Sequence, residues 1–90
     1  LLKSPEERGN GYTVYPNPLS SVLYIEYAGK EKEALIRVFD VVGRSVMVMD
    51  HVTVGFSPVA LDMSNLLAGV YIISITDKDG KSEKIKVVKQ

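Results

Sequence analysis

Apolar residues recur along this chain at intervals of two, in short runs broken by glycine, proline and aspartate, rather than at the three-to-four spacing of a helix. Strict alternation marks a strand with one face buried. "YTVY" (12–15) opens the series, and "VLYIEY" (22–27) follows with Leu23, Ile25 and Tyr27 on one face. In "ALIRVFD" (34–40), Ala34, Ile36 and Val38 share one face, and Leu35, Arg37 and Phe39 the other. "RSVMVMD" (44–50) sets Val46 and Val48 opposite in facing to Met47 and Met49. After Gly55, "PVAL" (58–61) begins with Pro58, a residue suited to the first position of a strand. Two further strands are expected at 70–76 and 82–88.

The breaks between these runs carry turn chemistry. "DVVG" (40–43) fits a type I turn, with Asp40 accepting backbone N–H groups and Gly43 tolerating the exit geometry, so the flanking strands form a hairpin. For the last hairpin, "GVYIISITDKDGKSEKIKVVKQ" (69–90), a two-residue Asp79-Gly80 turn would oppose Ile73 to Lys86 and Ile75 to Lys84. A three-residue loop, Lys78-Asp79-Gly80 with Gly80 left-handed, instead opposes Tyr71 to Val87 and Ile73 to Ile85, and sends Lys84, Lys86 and Val88 outward. The second register keeps one face apolar and is the one expected. "DMSNLLAG" (62–69) allows at most a single helical turn, with Asp62 or Ser64 as cap and Gly69 at positive φ. The sum is an all-β chain: an immunoglobulin-like antiparallel β-sandwich of about seven strands, with a small barrel as the other closure. No Cys…Trp…Cys pattern is present, so the expected likeness is to the architecture and not to antibody domains. Residues 1–11 show no periodicity and carry Pro5, Gly9 and Gly11, which reads as a flexible linker before a domain at 12–90.

Composition agrees with one folded domain: 46% of residues are hydrophobic and 24% charged. Eleven basic residues balance eleven acidic ones, which leaves no global field to attract nucleic acid or an anionic membrane. The balance breaks locally, because residues 78–90 hold Lys78, Lys81, Lys84, Lys86 and Lys89 against Asp79 and Glu83. Lysines on a terminal strand ordinarily protect its edge; a partner contact is the sharper reading. The absence of cysteine excludes disulfides, a thiolate nucleophile and zinc-thiolate clusters. No apolar run reaches the roughly 18 residues of a membrane-spanning helix, and "LLKSPEERGNGY" has neither the features of a signal peptide nor an initiator methionine. The chain therefore reads as a piece of a longer protein, acting on something attached upstream.

Enzyme chemistry is not visible. His51 stands alone between apolar segments, with no partner for catalysis or metal binding. "DKDG" (77–80) matches only the start of a calcium loop and lacks the later ligands, so turn chemistry explains it. The serines have no Gly-x-Ser-x-Gly setting. The pairs Glu6/Glu7 and Glu31/Glu33 fall in the linker and in a turn. No metal or cofactor is expected.

Three segments occur in a telling order: "VYPNP", then "VFDVVGR", then "LDMSNLLAGVYIISI…DGKSEKIKVVK". Together they resemble the type A C-terminal sorting domain of cargo proteins of the type IX secretion system, over about residues 12–90. Carried over residue by residue, the motif positions are Tyr15, Pro16, Asn17 and Pro18; Asp40, Gly43 and Arg44; and Leu66, Gly69, Val70 and Tyr71 with the lysine-rich closing strand. Most of these also serve folding, since the prolines fix φ and the glycines relieve turns. Arg44, Lys84, Lys86 and Lys89 are the positions expected to meet a partner. The resemblance implies a non-catalytic address domain that directs an upstream cargo domain from the periplasm through the outer-membrane translocon, with shuttle components as partners. It implies neither nucleic-acid binding nor insertion of the domain into a membrane. A sortase would then remove the domain at the cell surface, leaving cargo anchored there or secreted, and the expected cleavage region is Gly9, Asn10 and Gly11. The alternative is an adhesive or carbohydrate-binding module using exposed aromatics such as Tyr12, Tyr24 or Phe39.

Overall fold

The structure, a computed structural model, describes residues 8, 9 and 11–90. Eight strands follow in order: β1 (Arg8–Gly9), β2 (Tyr12–Tyr15), β3 (Val22–Tyr27), β4 (Lys32–Phe39), β5 (Ser45–Val54), β6 (Val59–Asp62), β7 (Gly69–Asp77) and β8 (Ser82–Lys89). They form two antiparallel sheets of four, ordered β1-β2-β3-β6 and β5-β4-β7-β8. The chain is thus the expected all-β sandwich, with seven longer strands and a two-residue addition at the start. Residues 1–7 and Asn10 of the expected linker lie outside the described residues.

The core is the set of alternate positions read from the sequence. Val14, Leu23 and Ile25 from one sheet meet Ala34, Ile36, Val38, Ile73, Ile75, Ile85 and Val87 from the other, all buried. Two further buried side chains, Leu19 and Met63, come from connections rather than strands. The terminal hairpin has the expected register, Tyr71 opposite Val87 and Ile73 opposite Ile85. Its loop closes through Asp77 N–H to Lys81 C=O at 2.9 Å, with Gly80 at φ 84°.

Two details differ from the expectation. β5 continues past Asp50 to Val54, because an extra residue is absorbed near His51 (φ 55°) and the register resumes at Ala34 opposite Val52. The 62–69 segment stays a turn: Asp62 accepts Ser64 N–H at 3.0 Å, as a cap would, yet the chain closes with Leu66 N–H to Met63 C=O and no helix follows. Gly69 has the expected positive φ, 154°.

Candidate functional site

The last strand is tied into the fold on both sides. One edge pairs with β7 along its whole length, from Gly69 opposite Lys89 to Thr76 opposite Ser82. The other is bound by the Tyr15–Leu19 segment. Asn17 uses its side-chain amide as a peptide surrogate: its Oδ1 accepts Val88 N–H at 2.9 Å while its Nδ2 donates to Lys86 C=O at 3.3 Å. Leu19 N–H donates to Val88 C=O at 2.9 Å, and Gln90 N–H donates to Leu19 C=O at 2.8 Å. A short parallel bridge, Leu19 to Lys89, results. Pro16 and Pro18, each preceded by a cis peptide bond, flank Asn17 and contribute no N–H of their own. Tyr15 stacks on Tyr24 across the strands (5.6 Å between centroids) and its hydroxyl donates to Glu26, which pushes the phenol pKa up to about 12.

The three motif segments meet at one end of the sandwich. Phe39 lies opposite Ile72, so the loop after it stands beside the start of β7, where Gly69 faces Lys89. The connection after Asp62 is joined to the connection after Leu19's segment by Met63 N–H to Ser21 C=O at 2.8 Å. Tyr71 secures the same end from within, its hydroxyl donating to Leu67 C=O at 2.6 Å, while Leu66 packs on the core and Val70 is half-buried. In the 40–44 loop, Asp40 Oδ1 accepts Val42 N–H and Arg44 N–H, and Asp40 Oδ2 takes Arg44 Nε at 2.8 Å. These bonds, the Arg44 backbone N–H foremost, hold the Asp40 carboxyl below the usual carboxylate range. Gly43, at φ 89°, completes the turn.

Of the four residues expected to meet a partner, three are displayed. Arg44, Lys84 and Lys86 are exposed, the last two on the outer face of the β5-β4-β7-β8 sheet. Lys89 is not displayed with them: it falls on the inner parity of β8 beside Ile85 and Val87, is only 8% exposed, and turns its Nζ to Gln90 C=O at 3.4 Å. Counting charges along the tail missed this, because alternation assigns odd positions of β8 to the core. The structure adds Arg37, which no motif or charge cluster singled out. Arg37 and Lys84 both lie opposite Ser74, and Phe39 and Lys86 both lie opposite Ile72. Arg37, Lys84 and Lys86 therefore form a basic patch with Phe39, Ile72 and Val88 between and beside them.

The opposite end is where the chain enters. Gly11 C=O accepts Ala28 N–H at 2.9 Å, and Gly9 pairs with Tyr12, whereas Asn10 of the expected cleavage region is outside the described residues. There Lys32 lies over the Tyr27 ring (4.5 Å) and donates to Asp77 at 2.9 Å. That bond raises the lysine pKa above its ordinary value and lowers that of Asp77.

The aromatics considered for sugar binding do not converge. Tyr12 is buried at 4%, Tyr24 is on the outer face of one sheet and Phe39 on that of the other. His51 is exposed, with Nδ1 3.5 Å from Glu33.

Residues 13–90 match the family described as the secretion system C-terminal sorting domain. None of the curated proteins matches the chain in sequence. Among solved structures it is similar to a DUF3244 family protein from Bacteroides vulgatus with an immunoglobulin-like β-sandwich fold. That pair has a TM-score of 0.73 and 21% identity over 89% of this chain and 84% of the other, a likeness of fold.

Proposed function

The chain belongs to the secretion system C-terminal sorting domain family, the sorting signals of type IX secretion, and we propose that its address is the end of the sandwich where the three motifs meet. In this reading the domain follows an upstream cargo domain through the periplasm to the outer membrane. The translocon or a shuttle component docks on Arg44 at that end and on Lys86, Arg37 and Lys84 along the outer face of the adjoining sheet. A sortase then cuts in the Gly9–Gly11 region at the far end, so that recognition and removal use opposite ends of one rigid body. The cargo is left at the cell surface or in the medium.

The observation that carries this reading is the Asn17 and Leu19 contact with Lys86 and Val88. It makes the first and last motifs one structure and occupies the outer edge of β8 from Lys86 to Gln90. Strand addition by a receptor over that stretch, which needs a free edge, would have to displace the segment. Docking on the outward cations needs no displacement and gives a salt-dependent contact.

The test is a periplasmic reporter fused to residues 1–90 in a host with the secretion system. Three forms are compared: the intact domain, the same chain lacking Val87–Gln90, and Lys84→Glu with Lys86→Glu. Export of the intact fusion, with the folded charge-reversed form held in the periplasm, is the expected result. Equal export of the charge-reversed form would rule out docking on the lysines. Retention of the well-folded intact fusion would overturn the sorting role itself.

A further inference from the structure

Strand parity sends Ser74 to the outer face of the β5-β4-β7-β8 sheet, because its neighbours Ile73 and Ile75 are buried in the core. Ser74 is nevertheless only 8% exposed. The register explains its cover. Arg37 lies opposite it on β4 and Lys84 opposite it on β8, so a long side chain walls it on each side, with Ile72 and Thr76 before and after it on β7. Lys86 follows Lys84 on the same face, opposite Ile72. Three cations thus surround one hydroxyl. Among the described residues, none of the three forms an ion pair and the hydroxyl makes no side-chain hydrogen bond. No fully buried side-chain oxygen among those residues lacks a partner, so the Ser74 hydroxyl still opens to solvent. The acids of this face, Glu33 and Asp50, stand toward the entry end and face Lys78 and His51 instead.

We propose that this notch binds a doubly charged phosphate monoester, held by the Arg37 guanidinium, the Lys84 and Lys86 ammonium groups and the Ser74 hydroxyl. Charge and spacing choose the class. Neighbouring strands stand about 4.8 Å apart, which sets the Arg37 and Lys84 backbones about 10 Å apart across Ser74, a gap that two such side chains close around one small anion. Like charges gathered on one sheet face repel, and a phosphate dianion offsets more of that charge than a single carboxylate. Its oxygens also outnumber those of a carboxylate, so it can accept the guanidinium fork, an ammonium and the hydroxyl together. Ile72 and Phe39, paired in the next row, give the carrier of the phosphate an apolar rim. This deepens the docking reading and rests on it for a role in export, where the partner would present a phosphate ester at the outer membrane; the binding itself does not depend on export.

The test is a titration of the 90-residue chain with inorganic phosphate, followed by NMR shifts at fixed ionic strength and at a pH where phosphate is a dianion. Saturable shifts centred on Arg37, Ser74, Lys84 and Lys86 are expected, and none with acetate. Arg37→Gln and Lys84→Gln should each weaken binding about tenfold, and Ser74→Ala about threefold. Lys84→Arg should retain it, and Lys78→Gln, outside the notch, should bind as the parent does. Each spectrum also reports folding, and if Ser74→Ala is unfolded the two exposed cation variants decide. Phosphatidylcholine vesicles carrying phosphatidic acid or phosphatidylglycerol separate the sources. Preference for phosphatidic acid, the monoester, assigns the ligand to a lipid headgroup; binding of free phosphate without vesicle binding assigns it to a soluble phosphate ester. Equal shifts with acetate, or shifts spread alike over all the lysines, would overturn the proposal. Such a failure leaves the export result of the charge-reversed fusion untouched, so docking on the lysines through carboxylates would stand or fall separately.

Discussion

Asn17 makes the most of a single side chain in this molecule. A carboxamide carries an acceptor oxygen and a donor nitrogen at the spacing of a peptide group, so between two prolines, which have no N–H of their own, the Asn17 side chain supplies the ladder bonds to β8. Replacing it by Ala removes both bonds to β8 and leaves Val88 N–H without that partner. Two net hydrogen bonds suggest a loss of about 1–2 kcal/mol, read as a lowered urea midpoint. Asn17→Asp should recover the Val88 bond but not the Lys86 one, because a carboxylate only accepts. Equal stability of Asn17→Ala and the parent would show that the segment merely lies against β8. Lys89 makes the converse point: a lysine in a basic tail reads as a contact residue from charge, yet strand parity places its stem on the core side.

The two long hairpins repeat one device. In Asp40-Val41-Val42-Gly43-Arg44 and in Asp77-Lys78-Asp79-Gly80-Lys81, the aspartate side chain accepts the N–H groups two and four residues on. The glycine N–H donates to the aspartate C=O at 3.0 Å in both loops. Gly43 and Gly80 carry φ of 89° and 84°, and a Cβ at either would meet nothing within 4 Å. The cost of alanine there is therefore backbone conformation alone, about 1–2 kcal/mol, and Gly43→Ala and Gly80→Ala should destabilise by matching amounts in thermal unfolding. A large inequality would mean that one loop makes contacts beyond its turn. These elements were legible in the sequence because each rests on local rules: period two chose the buried faces, and the register that kept Ile73 against Ile85 chose the loop length. What stayed hidden was non-local. Nothing in "YPNPL" announces that Asn17 reaches Val88, seventy-one positions on, and nothing in "LIRVF" places Arg37 in line with Lys84 until β7 lies between them. The extension of β5 was missed because a single extra residue near His51 breaks the alternation that the reading depends on.

Viewed as a whole, the sandwich is pinned at opposite ends by polar contacts that share one pH range. At the entry end Lys32 and Asp77 join β4 to the turn after β7; at the other, Asp40 and Asp62 order the connections that carry the motifs. The bonds from Lys32, Arg44 and Ser64 respectively lead the causes that depress the three carboxyls below their ordinary 3.8. Their contribution is thus complete above that value and lost as pH falls through the lower folded-state values. Lys32 and Tyr15 shift the other way. Their protonated forms are favoured in the folded chain, by Asp77 and by Glu26, so their contribution is complete below 10.5 and 10.0 and lost as pH rises through the higher folded values, about 12 for the tyrosine. The urea midpoint should therefore stay level from about pH 5 to pH 9 and fall on both sides. Lys32→Met should shrink both limbs together, because it removes one partner of a pair that titrates at each extreme. Tyr15→Phe should shrink the alkaline limb, because it removes the phenol that Glu26 holds protonated. An acid limb unchanged by Lys32→Met would assign the acid loss to Asp40 and Asp62.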